Sequence, residues 1–357
     1  MDGRTINFGT LMSRNLSVNQ YFNGLNKRHV PRFRFGAKGN TDWKSWQGKL
    51  MEAARASLLK MPQRVPLNPQ VLMEWEGDGL IKQRFVIDVE EGLSATGYLF
   101  RPKNAAGRLP AILCCHGHGK WGKESVMGQA CASDALAYGR DLNYDYGLQM
   151  AKTGFVTIAI DWRGFGERDD RRAPHWHDIA HGRDQCNLHF LNATMFGMTL
   201  LGMNVNDGQR TLDYLCDQPF VDPNRIGVMG LSFGGTMTTW MSICDERIKA
   251  SDIICYSDRF EQFAIRRANY CGSQMTPGLY DLCDVPDLHG LIAPRPLLIE
   301  IGASDECFLV DDAMSCYREV EKIYAAAGVS DRLQLDLFQG GHAWGANKSV
   351  DFFRKYL

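Results

Sequence analysis

The sequence predicts an α/β fold: a mainly parallel sheet with helices on both faces, preceded by an N-terminal helical extension. Three observations predict it. Five strand-length runs are apolar almost throughout rather than alternating: Pro110-Ala-Ile-Leu-Cys-Cys115, Phe155-Val-Thr-Ile-Ala-Ile160, Ile226-Gly-Val-Met-Gly230, Ala250-Ser-Asp-Ile-Ile-Cys255 and Arg295-Pro-Leu-Leu-Ile-Glu-Ile-Gly302. Strands buried on both faces read this way. Helical stretches separate these runs, near 128–138 with 143–152, 204–217, 233–244, 310–327 and 347–357, and apolar strands alternating with helices imply a parallel sheet. The polar and Gly-rich segments His116–Gly119, Asp161–Glu167, Ser232 and Gly302–Asp305 all follow such runs. That is where ligands bind in open α/β sheets, outside the carboxyl ends of the strands.

In chain order, residues 1–40 carry seven Lys/Arg against one acid, Asp2. Phe22, Phe33 and Phe35 interleave with these charges, which points to a packing or oligomer-contact arm rather than a polyanion-binding one. Asp42 can cap a helix reaching Leu59, with Trp43, Trp46, Leu50, Ala54 and Leu58 on one face. Pro62, Pro66 and Pro69 then enforce an irregular link. From Lys82 the pattern becomes strand-like, and Glu90-Glu91-Gly92 separates two strands of an antiparallel hairpin. The run Arg332-Leu-Gln-Leu-Asp-Leu-Phe338 alternates and closes the sheet. Residues 1–80 are therefore expected to pack on a catalytic domain, residues 81–357, that carries a flap insertion near 168–200.

Composition narrows the function. A chain of 357 residues that is 45% hydrophobic can bury a large core. Its net charge of −1 gives no global attraction to nucleic acid or to an anionic membrane. No apolar run reaches the ~18 residues of a membrane span, and no secretory signal is visible. Eleven scattered cysteines, with no C-x-x-C pair, read as reduced thiols of a cytoplasmic protein. No cofactor and no metal is expected, and a homo-oligomer stays open.

The chemistry centres on Gly230-Leu-Ser-Phe-Gly234, a G-x-S-x-G between an apolar strand and a helix. Ser232 would stand at a sharp strand-to-helix turn, with the helix N-terminus facing a forming oxyanion. A serine hydroxyl needs a base, and the base needs an acid to fix its tautomer. His342, in Gly340-Gly-His-Ala-Trp344 after the last strand, supplies the base. Asp305, in Gly302-Ala-Ser-Asp-Glu-Cys, supplies the acid, with Glu306 as its nearest rival. The N–H of Phe233 and a donor from the His116–Gly119 loop, His118, are the expected oxyanion hole. His116 is expected to be structural.

The set Cys115-His-Gly-His-Gly119, Asp161-Trp-Arg-Gly-Phe-Gly-Glu167, Gly230-Leu-Ser-Phe-Gly-Gly235, Gly302-Ala-Ser-Asp305 and Gly340-Gly-His342 resembles the α/β-hydrolase superfamily. Within it the chain looks like the dienelactone hydrolase-like and bacterial acetyl xylan esterase-like branch, over residues 82–357. The resemblance implies the α/β-hydrolase fold, Ser232 as nucleophile, Asp305 as acid, His342 as base, and His118 with Phe233 as oxyanion donors. Dienelactone hydrolases themselves use cysteine as nucleophile. Serine here argues for ester cleavage over lactone opening, and the resemblance implies a short acyl group, acetyl first, on a carbohydrate or other small molecule. A serine peptidase of the same fold and a non-catalytic binding protein are the alternatives.

The stretch Arg168–Asn192 should overhang the cleft, and its charges and aromatics suit a polar substrate. His175, His177 and His181 have metal-compatible spacing but no placed carboxylate or cysteine partner, so a polar flap is expected. Trp121 and Trp344 are expected to contact substrate. Met195, Met198 and Met203 are read as core rather than pocket.

Overall fold

The computed structural model describes residues 14–129, 139, 141–171 and 184–357. Nine strands form one sheet in the order β1-β2-β3-β5-β4-β6-β7-β8-β9. They are β1 (Gln70–Gly77), β2 (Leu80–Glu90), β3 (Leu93–Pro102), β4 (Leu109–Cys115), β5 (Val156–Ile160), β6 (Val221–Leu231), β7 (Ile248–Ile254), β8 (Leu297–Gly302) and β9 (Leu333–Phe338). The first three pair antiparallel, and β3 is antiparallel to β5. From β5 across to β9 every pairing is parallel. The mainly parallel sheet is the one the apolar runs imply, and the hairpin turns at Glu90–Leu93 as expected.

Strand β1 is a departure from the sequence reading, which placed an irregular link there. It adds to the edge of the hairpin through Gln70↔Val86 to Gly77↔Leu80. Val71, Leu72 and Met73 are exposed and only Trp75 packs inward, on Tyr98 and Phe100, so no burial alternation marks the apolar run. An outermost strand needs only one partner's hydrogen bonds.

The main helices are α1 (Val18–Asn26), α2 (Trp43–Ser57), α3 (Tyr146–Lys152), α4 (Gln185–Met195), α5 (Leu200–Cys216), α6 (Phe233–Cys244), α7 (Val310–Ala326) and α8 (Ser349–Tyr356). Two apolar layers, one on each face of the sheet, form the core. One gathers Trp46, Leu50, Trp162, Leu212, Met237, Trp240 and Ile323, from α2, α5, α6 and α7. The other gathers Tyr146, Met150, Trp344, Phe352 and Phe353, from α3, α8 and the segment before α8. A doubly covered sheet explains why its strands lack alternation. The helix expected near 128–138 lies mostly outside the described residues.

The N-terminal extension is held by specific bonds. Asp42 caps α2 by accepting the Ser45 N–H at 2.7 Å. The Arg32 and Phe33 N–H groups donate to the Asp281 and Leu282 carbonyls, and the Phe35 N–H donates to Asp287 at 2.8 Å. The Trp46 indole N–H returns to the Phe33 carbonyl at 2.5 Å. Phe33 and Phe35 of the arm thus pack on the core, whereas Phe22 is exposed.

Candidate active site

Ser232 joins β6 to α6 with φ 63° and ψ −121°. A non-glycine residue in this region is strained and persists only where its surroundings hold it. The surroundings here are glycines. A Cβ on Gly234 would overlap the Cys115 carbonyl oxygen, and one on Gly230 would overlap the Gly234 carbonyl. The turn closes because both positions lack a side chain. The Ser232 N–H donates to the Ile254 carbonyl at 2.9 Å, and its own carbonyl accepts the Gly235 and Thr236 N–H groups at 2.8 and 3.2 Å. Phe233 begins the helix, so its N–H belongs to the positive end of α6.

His342 and Asp305 follow β9 and β8. His342 Nδ1 lies 2.8 Å from Asp305 Oδ2. Asp305 Oδ1 also accepts the N–H groups of Cys307 and Phe308, at 2.7 and 3.0 Å. Burial acts to raise the Asp305 pKa, but the His342 N–H, its charge and these two backbone donors outweigh it and hold the carboxyl below its ordinary value. Glu306, the rival acid, makes no such contact with His342 among the described bonds. The Phe308 ring stacks on the imidazole at 5.8 Å between centroids and 20° between planes.

The two loops touch directly, since Ser304 N–H donates to the Gly340 carbonyl at 2.9 Å. Cys255, just past β7, connects them to the serine turn. Its thiol donates to the Ala343 carbonyl at 3.4 Å, one residue beyond Ile254, which receives the Ser232 N–H. The ends of β6 through β9 therefore bring Ser232, Asp305 and His342 to one rim of the sheet.

The loop after β4 lies against the serine. A Cβ on Gly117 would come within 2.7 Å of the Leu231 carbonyl and 3.3 Å of Ser232 Cβ. His116 is wholly buried, with Nδ1 2.8 Å from the Gly117 carbonyl and Nε2 accepting the Trp162 N–H at 2.9 Å. Those bonds fix a neutral tautomer, and burial pushes its pKa down to about 4. His116 is thus a structural tie, as its sequence position suggested. The His118 ring is exposed and sits edge-on to Phe165 at 5.2 Å. Phe165 in turn stacks on Phe233 at 5.4 Å. His118 Nε2 lies 3.4 Å from Cys186 Sγ. The bond with Cys271 chiefly raises the His118 pKa, and hydrogen bonds from Cys186 and His118 pull the Cys271 thiol down against its burial.

Behind this loop, Asp161 at the end of β5 is fully buried. It accepts the Lys123 N–H at 2.9 Å, the Lys123 ammonium at 2.6 Å and the Glu167 N–H at 3.0 Å. Lys123 also reaches Glu167 at 2.5 Å. Burial alone would raise Glu167, yet Lys123 brings it down to about 2. Next to this pair, Arg163 grips Asp207 with two bonds of 2.7 and 2.8 Å. These ion pairs fasten the 161–168 segment to the segment after β4, through Lys123, and to α5, through Asp207.

Two of the sequence-expected contacts need restating. Trp344 is not among the residues that line the cavity beside α4. It is buried in the core against Tyr146 at 6.0 Å, with its indole N–H donating to Ser349 at 2.9 Å. Its neighbour His342 faces the rim, and the chain turns inward between them. Trp121 is half-buried and carries the Lys120 ammonium over its ring at 4.4 Å. A cavity of about 890 Å³ opens instead between β3, the 163–170 segment and α4. Its lining includes Ser94, Thr96, Arg163, His189, Asn192 and Phe196, but none of Ser232, Asp305 or His342. Phe165 follows cavity-lining Gly164 and packs on Phe233, so this cavity adjoins the serine turn without containing it. Met198 and Met203 line it and Met195 is exposed, which corrects their reading as core. His175, His177 and His181 lie outside the described residues.

Sequence reasoning missed Phe308, Cys255 and the pairing of His118 with Cys186 and Cys271. The spacing of these residues carries no signal.

Comparison with known proteins agrees with this architecture. A family model described as "Abhydrolase family" matches residues 11–327. "Putative hydrolase YtaP" of Bacillus subtilis (strain 168) is 26% identical over 303 residues, covering 83% of this chain and 95% of that protein. Among solved structures, a "putative acetyl xylan esterase" of Bacteroides fragilis NCTC 9343 superposes with a TM-score of 0.75 at 19% identity, over 91% of this chain and 83% of that one. A glucuronoyl esterase from Solibacter usitatus superposes at 0.66 and 15% identity, over 91% and 97%. These structural likenesses concern the fold. Among the described residues no helix is long and apolar enough to cross a membrane.

Proposed function

The chain belongs to the Abhydrolase family, an α/β-hydrolase by fold, and on that premise we propose that it is a serine carboxylesterase that cleaves short acyl esters through an acyl-enzyme. The observation that carries this reading is the 2.8 Å bond between His342 and Asp305 at the ends of β8 and β9, on the same rim as Ser232 in its strained turn.

Each part has a role. Asp305 accepts the Nδ1 proton of His342, which leaves Nε2 as the basic nitrogen. His342 removes the Ser232 proton as Oγ attacks the ester carbonyl. The N–H groups of Phe233 and His118 hold the oxyanion. His342 then gives the proton to the departing alcohol. Water repeats the sequence, releasing the acid and restoring the serine. Deprotonation by a neutral imidazole predicts that activity declines in acid.

An acetylated carbohydrate is the substrate class to test first. The support is the set of polar side chains, Ser94, Thr96, Arg163, His189 and Asn192, in the otherwise largely apolar wall of the adjoining cavity, and the acetyl xylan and glucuronoyl esterases among proteins of this fold. The test is a series of p-nitrophenyl acetate, butyrate and octanoate, followed by acetate release from acetylated xylo-oligosaccharides. Acetate fastest in the series and acetate released from the oligosaccharide are the expected results. A protein inert on all three esters would overturn the esterase reading, and one fastest on octanoate would overturn the short-acyl assignment.

A further inference from the structure

The His118, Cys186 and Cys271 side chains come from three distant parts of the chain: the loop after β4, the first turn of α4, and the turn before residues 272–274. Their ligand atoms, the two sulfurs and a ring nitrogen, all lie within 4.8 Å of one another. His118 Nε2 to Cys186 Sγ is 3.4 Å. Tetrahedral zinc with Zn–S of about 2.3 Å and Zn–N of about 2.0–2.1 Å needs S···N edges of about 3.5 Å and an S···S edge of about 3.8 Å. The His118–Cys186 edge of 3.4 Å matches the S···N figure, and the other two edges, at no more than 4.8 Å, lie within a small side-chain adjustment of this geometry.

The surrounding bonds fix both cysteines. Asp184 accepts the Cys186 N–H at 3.1 Å and caps α4. Gln274 accepts the Cys271 N–H at 3.1 Å and donates from its amide to Thr236 on α6 at 3.2 Å. Asn187, next to Cys186, accepts the Gly272 N–H at 2.9 Å. A Cβ on Gly272 would overlap Phe190, so the Cys271 turn lies directly on α4. Both thiols are buried, whereas the His118 ring is exposed.

We propose that His118, Cys186 and Cys271 form a Cys2His zinc site that ties the loop after β4 to α4 and to the 271–274 turn. Three protein ligands leave the fourth position for a water molecule. Each thiol that is protonated in the metal-free chain gives its proton to solvent as its sulfur binds. The metal sits one side chain away from the backbone of His118, so it positions that loop against Ser232. The site stands apart from the ester-cleaving reading and survives or fails independently of it.

The test uses the full chain purified without chelator. Elemental analysis should find about one zinc per chain. Exchange for cobalt should give the intense visible bands of tetrahedral cobalt with a thiolate charge-transfer band. Cys186→Ser and Cys271→Ser should each remove that charge-transfer intensity in large part, and Cys216→Ser, on α5, should keep it. X-ray absorption at the zinc edge of the wild type should show two sulfur neighbours and a nitrogen, and this reading does not depend on any variant folding. Wild-type protein with no stoichiometric zinc and no charge-transfer band overturns the proposal. So does a zinc shell without sulfur, an unchanged band in both cysteine variants, or an intact mass showing a Cys186–Cys271 disulfide in freshly purified, unreduced protein.

Discussion

Replacing Lys123 by methionine tests the buried charge system behind the active-site loop. Methionine keeps much of the lysine stem and removes only the ammonium. Asp161, fully buried, would retain the two backbone N–H donors of residues 123 and 167 but lose the ammonium that its carboxylate meets at 2.6 Å. Glu167 would lose its 2.5 Å partner and keep Arg84 and Thr96. Because Glu167 is more exposed, water compensates most of its loss, and the cost falls on Asp161. Breaking a buried pair by removing one partner costs about 3–5 kcal/mol. Unfolding entropy of about 2.1 cal/mol/K per residue gives ~0.75 kcal/mol/K for this chain, so Tm should fall by about 4–7 °C. Thermal and urea unfolding of Lys123→Met, Asp161→Asn and the double variant would measure the loss and a coupling of about 1–3 kcal/mol. A loss below about 1 kcal/mol, the size expected of an exposed pair, would refute the claim that this charge is held away from water.

Two further outcomes follow from the same structure. Asp305→Asn should leave Tm near the wild type yet lower kcat by about 10⁴, as the equivalent change does in a Ser-His-Asp protease, because an amide cannot hold the imidazole in the required tautomer; steady-state ester hydrolysis measures it, and a fall of less than about tenfold would remove Asp305 from its role. The buried carboxyls should remove stability between pH 6.5 and 8.5. Burial holds Asp258 and Asp287 up at about 7 and raises Glu300 as well, so the folded chain keeps protons that the unfolded chain has already lost near pH 4. Their contribution is present at low pH and disappears as pH rises through about 7, an effect of about 2 kcal/mol or ~3 °C in that window. His116 and His289, pushed down to about 4 and about 3, act in the opposite sense below ~6.5, and the lowered Cys271 thiol does so across the window itself. Calorimetry in which Asp258→Asn and Asp287→Asn leave the slope of Tm against pH from 6.5 to 8.5 unchanged would contradict these burials.

Where burial controls residue type, the sequence was readable. The central strands β4, β5 and β8 are buried on both faces over most of their length and appear as near-continuous apolar runs. The Asp42 cap and the apolar face of α2 follow from spacing alone. Edge strand β1 was illegible because its exposed Val71, Leu72 and Met73 bury nothing that would force alternation. Trp344 was misassigned because chain proximity to His342 says nothing of direction, and the residue turns inward to Ser349. The methionines of the cavity wall show the same limit: periodicity reveals which face of a helix packs, not whether a space lies beneath it. His118, Cys186 and Cys271 are brought together only by the fold, so no local motif could have announced them.

The most direct measurement compares wild type and Ser232→Ala by intact mass after exposure to a serine-reactive phosphonate, with hydrolysis of p-nitrophenyl acetate followed on the same samples. The account predicts a single phosphonyl adduct on the wild type, none on the variant, and a fall in kcat of about 10⁴–10⁶. A variant that still hydrolyses the ester at the wild-type rate, or that still takes the label, would contradict Ser232 as the nucleophile.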